Sequence, residues 1–301
     1  MLDSTLRCRI GPIASLLAAV FATLALAVPD VAWAGKLDKV RKRTKGSSTS
    51  SKHKGRSSSD ASYGGGGGDE FGMAMLVLAS PWWLPHMAVG DRIGRSFAFD
   101  SHPYAGGYDG FVHVAGQSAP MAGGDGGRSL LGRGAAMQAA VEGGWLDPTM
   151  QRVGLSARIS GHHRFEIETA WSGYQELLGP AERASGRVVD ALWIGDVNVT
   201  WLHAVGESVL IRSGGGIRSM VDAGETTLGV NLTYGMDIFP VQPLVISLSG
   251  DIGTVGQALY RGMRATLGFM VGRVEIYGGY DGAWVDEISL GGGLFGVRAW
   301  L

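Results

Sequence analysis

Long stretches of this chain alternate strictly between apolar and polar residues, and the polar set carries charge. Val189, Ala191, Trp193, Val197, Val199 and Trp201 share one parity, while Asp190, Asp196, Asn198 and Thr200 share the other. Leu228, Val230, Leu232, Tyr234, Met236 and Ile238 alternate in the same way with Asn231, Thr233 and Asp237, and Met263, Ala265, Leu267, Phe269 and Val271 with Arg264 and Thr266. A period of two places the two sets on opposite faces of a strand. Ten such segments are expected, near 134–145, 150–160, 163–174, 188–203, 208–220, 227–239, 243–253, 260–271, 273–284 and 291–301. Most run to about 11 residues, against ~5–6 for a typical soluble strand, and ~9–11 tilted residues cross a bilayer core.

The connections separate into two sets. Those at Gly161-His162, Ala204 to Glu207, Pro240 to Gln242 and Gly272 are tight, and those at 175–187, 221–226, 254–259 and 285–290 are longer. Short turns on one side and longer loops on the other are the pattern of barrels that cross a membrane. The expected fold is therefore all-β: an antiparallel up-and-down transmembrane β-barrel of about ten strands (8–12) over residues 131–301, preceded by a disordered linker. Trp145, Trp171, Tyr174, Trp201, Phe239, Tyr260, Tyr280, Trp284 and Trp300 lie near strand ends, where rings favour the head-group region, and are expected to form two aromatic girdles.

The first residues read as an export signal. Arg7 and Arg9 precede an apolar run from Ile13 to Val28, then Pro29, then Ala32-Trp33-Ala34, a small-x-small site that predicts cleavage after Ala34. Cys8, the only cysteine, lies before the apolar run, so no disulfide or thiolate metal site is expected in the processed chain. Residues 35–70 hold all six lysines (Lys36, Lys39, Lys42, Lys45, Lys52 and Lys54) in a Ser- and Gly-rich setting. Such a segment has too little apolar surface to offset its ordering entropy, and is expected to be a disordered basic linker. Two roles suit it, a tether to an anionic periplasmic polymer and a solvated spacer. Residues 71–130, with Pro81-Trp82-Trp83-Leu84-Pro85 and a glycine-rich stretch at 122–127, read as an irregular periplasmic or plug-like segment.

The charged parity supplies the candidate site. Asp190, Asp196, Arg212, Arg218, Asp237, Asp251, Arg264, Glu275 and Arg298, with Glu166 and Glu168, are expected to face the lumen. Buried charges in a narrow barrel must pair, because an unpaired one costs several kcal/mol. An Arg–carboxylate network filling the interior is the first reading, and a small polar pore the second. Catalysis is not expected. His162 and His163 sit in a turn and point apart, His203 has no evident partner in the sequence, and no nucleophile–base pair can be named. No metal site, cofactor or nucleic-acid partner is expected either. Gly64–Gly68 and Gly214–Gly216 lack the helix and Lys-Ser/Thr of a phosphate loop, and the basic cluster lacks stacking aromatics.

The C-terminal segment GGGLFGVRAWL resembles the closing strand of bacterial outer-membrane β-barrel proteins of small, porin-like type. NLTYGMDIFPVQPLVISLSGDIGTVG and VEIYGGYDG resemble strand–turn–strand hairpins of uncharacterised Gram-negative barrels. The resemblance implies outer-membrane lipid and the barrel-assembly machinery as partners, with Phe295, Val297, Trp300 and Leu301 as the assembly signal. Trp300 is penultimate where such barrels commonly end in the aromatic itself. The implied role is structural anchoring or a small pore. Two rivals stand beside it: a secreted soluble β-barrel binding a small apolar ligand, with its apolar faces inside, and an outer-membrane lipid-modifying enzyme.

Overall fold

A computed structural model describes residues 35–46, 97–105, 110–114, 135–161, 164–178, 189–206, 208–222 and 225–301. The expected signal peptide, the linker beyond residue 46, and His162 and His163 lie outside them. In chain order the elements are α1 (Lys36–Thr44), β1 (Phe97–Phe99), β2 (Val112–Val114), β3 (Ala135–Asp147), β4 (Met150–Gly161), β5 (Phe165–Leu177), β6 (Val189–Val205), β7 (Val209–Asp222), β8 (Glu225–Val241), β9 (Leu244–Val255), β10 (Ala258–Val271), β11 (Val274–Val285), β12 (Ile288–Ser289) and β13 (Gly292–Trp300). No helix among the described residues is long and apolar enough to cross a membrane.

Each strand from β3 to β11 pairs antiparallel with the next, β11 pairs with β13, and β13 returns to β3. The result is a closed, ten-strand barrel with no free edge, the arrangement that leaves no backbone group unpaired in lipid. The seam sets Gln138 opposite Trp300 and Trp145 opposite Gly293. Met137 and Leu301 exchange backbone hydrogen bonds of 3.1 and 2.8 Å beside it.

The ten barrel strands coincide with the ten alternating segments, but most are longer than the alternation suggested, β6 and β8 reaching 17 residues each. The connections shorten to match. Those expected at 221–226 and 254–259 contract to 223–224 and Gly256-Gln257, while 178–188 and the β11–β13 connection at 286–291, which carries β12, remain the longer ones. Pairing continues there because residues such as Asp222 and Glu225 lie outside the apolar belt, where polar strand ends cost nothing.

Parity sorts the side chains as the strand period requires. Val230, Leu232 and Ile217 are 64%, 62% and 60% exposed, whereas Arg218, Asp237 and Glu275 are 2%, 1% and 0% exposed. The apolar face looks outward and the charged face inward, which overturns the soluble ligand-binding barrel. On the outer surface Trp145 stacks on Phe295 at 5.4 Å near one mouth, and Phe165 meets Trp201 edge-on at 4.6 Å near the other.

Four of the expected girdle aromatics point inward: Tyr174, Phe239, Tyr260 and Trp300 are 2%, 0%, 9% and 1% exposed. Each shares parity with a lumen charge: Tyr174 with Glu168, Phe239 with Asp237, Tyr260 with Arg264, and Trp300 with Arg298. Closeness to a strand end does not make a ring a girdle residue when the pleat turns it inward. Trp145, Trp171, Trp201, Tyr280 and Trp284 keep the outward parity, with Trp171 lying over the bare backbone of Gly195.

Candidate functional site

The interior is built in three layers. At the mouth that carries both barrel termini, β1 and β2 form a short antiparallel ribbon, with Phe99 paired to Val112. The connected segment closes this mouth with an aromatic cluster. The Phe111 ring meets Trp300 at 5.2 Å and Phe239 at 6.3 Å, both edge-on, against Leu202, Leu210, Val245 and Met270. Tyr104 donates its hydroxyl to the carbonyls of Val241 and Leu244, fastening the cap to the β8–β9 turn. His102 lies half-buried in the same cap, and burial, reinforced by the charge of Arg273, lowers its pKa below the ordinary imidazole value. Within the segment expected at 71–130, residues 97–105 and 110–114 thus form an aromatic cap at one mouth, and the rest of it lies outside the described residues.

The opposite mouth is closed by α1. Disorder was expected for 35–70, but residues 36–44 are helical because the barrel supplies what the isolated sequence lacks. A nine-residue helix is marginal in water by itself, and Gly35 offers no side-chain cap. The Glu176 carboxylate, at the end of β5, takes that place, accepting from the amides of Lys36 and Leu37 at 3.2 and 3.1 Å. An acceptor there satisfies orphan donors and meets the positive end of the helix dipole. Gly46, at φ 68, ends the helix. Gly256, at φ 58 in the β9–β10 turn, leaves room for the Thr44 carbonyl, which any side chain at that position would meet.

Leu37 and Val40 point down into an apolar floor of Met150, Tyr174, Leu192, Ile194, Met220 and Tyr260. Burying the two stabilises the docked helix by about 1.5–3 kcal/mol each. Around that floor the helix meets carboxylates from five strand ends. Lys36 pairs with Asp147 at 2.8 Å, Lys45 pairs with Glu225, and Glu176 caps the amides. Arg41 reaches two strands, bonding Asp190 through two guanidinium nitrogens and Asp222 at 2.5 and 2.9 Å. Its hydrogen bond to Asp190 raises its pKa, outweighing burial, so the latch cation stays charged throughout the accessible pH range.

Between the two apolar layers lies the charge-lined chamber. Glu142 on β3 accepts from Arg152 at 2.5 Å, from Arg264 at 2.8 and 3.1 Å, and from the Tyr277 hydroxyl at 2.9 Å. Asp281 is the fifth member of this cluster, 2.9 Å from Arg152 and 3.3 Å from Arg264. One Asp237 oxygen bridges Arg158 and Arg212, at 2.9 and 2.7 Å. Arg212 also lies 3.4 Å from Glu168, and Ser160 donates to Glu166 at 2.5 Å. Arg218 pairs with Asp196 at 2.6 Å, lies 3.8 Å from Asp251, and stacks over the Tyr260 ring at 3.6 Å. Glu275 holds Arg298 and the Trp300 indole N–H, each at 3.0 Å. What remains open is a cavity of about 150 Å³ lined by Arg158, Glu168, Arg212, Asp237, Asp251 and Arg264 among others.

Of the charges expected to line the lumen, Asp190 sits apart, at the α1 mouth with Arg41. Sequence reasoning missed Glu142, Arg152, Arg158, Asp281 and Tyr277. The signal was available, since Gln138 and Glu142 share one parity on β3, and Arg152 and Arg158 share one on β4. His203 is buried with its Nδ1 3.3 Å from the Ser213 hydroxyl and its ring 5.5 Å from Tyr234. Among the described residues no group of His, Cys, Asp and Glu is placed to hold a metal ion. Phe295 and Val297 face outward, 54% and 49% exposed, while Trp300 turns inward, so an aromatic assembly signal on the lipid face is not formed by Trp300.

No family model matches the chain, and no curated protein does. Solved barrels resemble it weakly. The attachment invasion locus protein Ail of Yersinia pestis is 13% identical over 56% of this chain and 99% of its own, with a TM-score of 0.28. The β domain of the Bordetella autotransporter BrkA is 10% identical over 55% and 98%, with a TM-score of 0.32. CdiB of Acinetobacter baumannii is 13% identical over 52% of this chain, with a TM-score of 0.28, and the match spans 39% of its length. Likenesses this weak carry no argument about activity, and the assignment rests on the barrel itself. A closed ten-strand sheet that turns its aliphatic residues outward and its charges inward has the geometry of a lipid-embedded wall: by its own architecture this chain is a transmembrane-type antiparallel β-barrel.

Proposed function

We propose that the protein is a closed barrel that anchors in the membrane and passes no solute at rest. The carrying observation is the layered interior, with apolar layers under α1 and under the β1–β2 cap and a cross-linked chamber between them. A cavity of about 150 Å³ between two apolar layers supports a closed interior over a continuous path. The longer connections on the α1 side, 178–188 and 286–291, favour placing the α1 mouth at the cell surface and the aromatic cap in the periplasm. In that orientation Lys36, Arg41 and Lys45 are engaged by the barrel at the cell surface, which argues against their serving as a tether to periplasmic polymer. Phe295 and Val297, on the lipid side of the last strand, are the residues we assign to recognition by the assembly machinery.

The second reading is a small pore. It draws on the chamber lining, where the Arg218 Nε and Nη1 and the Gln138 Nε2 have no protein hydrogen-bond partner among the described residues and so call for water. Planar-bilayer recording on the purified full-length protein separates the two. Anchoring predicts a silent membrane after insertion is verified by a heat-modifiable band. Reproducible conductance steps would overturn it in favour of the pore.

A further inference from the structure

The α1 mouth has more features than a fixed lid needs. Its rim presents Asp147, Glu176, Asp190, Asp222 and Glu225 from five strand ends, around a floor of apolar side chains. The segment seated on it complements this chemistry: in KLDKVRKRT, Lys36 and Arg41 flank the apolar pair Leu37 and Val40. The side-chain contacts that cross this boundary are ionic or apolar apart from the Arg41 hydrogen bond to the Ala191 carbonyl, and the α1 backbone is met at its two ends, by the Glu176 cap and by the Gln257 amide on the Thr44 carbonyl. None of these depends on α1 being covalently part of the barrel. We propose that this mouth is an exchangeable receptor for a basic amphipathic helix, with α1 as its resident occupant.

Three properties make exchange the expected behaviour. The buried footprint is small, only two aliphatic side chains. The segment has little helix to retain once it leaves, so release is entropically favoured. The site stays competent when vacated, because the barrel is closed by its own strand pairing and its charge network sits a layer below. Departure of α1 bares the apolar floor that lies over the chamber. The inference goes beyond the anchoring role, and its test reads helix occupancy, not conductance.

A single reporter thiol measures it. Cys8 precedes the expected cleavage position, so Ala258→Cys is the one cysteine of the processed full-length protein. Ala258 is 1% exposed, within the floor that holds Leu37 and Val40. With the helix seated, a membrane-impermeant maleimide labels this thiol slowly. Arg41→Glu sets a carboxylate against Asp190 and Asp222 and is expected to speed labelling by about tenfold or more, a factor that corresponds to ~1.4 kcal/mol. Adding a synthetic peptide of residues 35–46 to the Arg41→Glu protein should restore protection, and a peptide with its Lys and Arg replaced by Glu should not. If Arg41→Glu yields no heat-modifiable band, Val40→Glu, which attacks the apolar side of the same helix, takes its place. Unchanged slow labelling in the variant overturns the latch. Fast labelling that the basic peptide does not slow overturns the receptor.

Discussion

The two mouths of the barrel are closed by opposite means. One holds a helix by salt bridges over a thin apolar floor; the other holds a ribbon by interlocked aromatic rings with little charge. The difference follows from what each closure can lose. Arg41 between Asp190 and Asp222 keeps 16% of its side chain exposed, and Lys45 and Glu225 are at least half exposed, so water replaces each partner that leaves. Phe111, at 1% exposure against Trp300 and Phe239, has no such substitute, and lifting it opens a void against side chains that cannot follow. An ionic closure is reversible and an aromatic one is durable.

That comparison can be broken or sharpened in three ways. The largest effect is expected from Phe111→Ala, which should weaken the cap by ~3–5 kcal/mol, the cost of emptying a buried aromatic site. Hydrogen exchange at the Asp100 amide, bonded 2.7 Å from the Phe111 carbonyl, reads that loss. Protection of the Ala258→Cys thiol at the other mouth should not change, and if it does the closures are coupled. A smaller effect is expected from salt. Raising NaCl from 0.1 to 1 M shortens the screening length from ~10 to ~3 Å and should speed labelling at Ala258→Cys by roughly 2–5-fold, the partly buried Arg41 pairs responding least. A thiol under the cap, at Ala105→Cys, should show no increase, and equal responses at both mouths would erase the distinction. The smallest effect is expected from pH. His102 takes up a proton less readily in the docked cap than in the free chain, so its contribution is complete above the ordinary value of 6.5 and declines as pH falls through it. Exchange at Asp100, corrected for its intrinsic rate, should quicken between pH 7.5 and 5.5, and His102→Gln should abolish that change.

The fold was legible because a strand's period of two is local. Val189 to Trp201 and Met263 to Val271 declare their faces without reference to any other part of the chain. The same rule applied to the rings would have turned Tyr174, Phe239, Tyr260 and Trp300 inward; grouping them by nearness to strand ends ignored the parity that Arg298 and Trp300 share. Partner choice in the lumen is a different matter. Arg158 meets Asp237 on β8 and Arg264 meets Glu142 on β3, strands that are not neighbours in the sheet, and such pairs depend on barrel shear and tilt. The helix was hidden for a third reason. Asp38 in its first turn, Arg41 to Arg43 in its last and Gly46 after it are helix signals, but its N-terminal cap and apolar partners lie more than a hundred residues away.

Glu142 has a consequence for how such a wall comes together. It sits on the first barrel strand and is held from β4 on one side and from β10 and β11 on the other, so its contacts straddle the place where the sheet meets itself. The arginine on β4 can arrive early in strand addition, but Arg264 and Tyr277 reach this carboxylate only when the final strand has joined the first. A closure displaced by two residues would keep every aliphatic face in lipid and would pass any test based on pattern alone. It would also move Glu142 away from Arg264 and Tyr277, leaving this buried carboxylate with Arg152 alone. The charge cluster thereby disfavours misregistered rings that hydrophobicity by itself would accept.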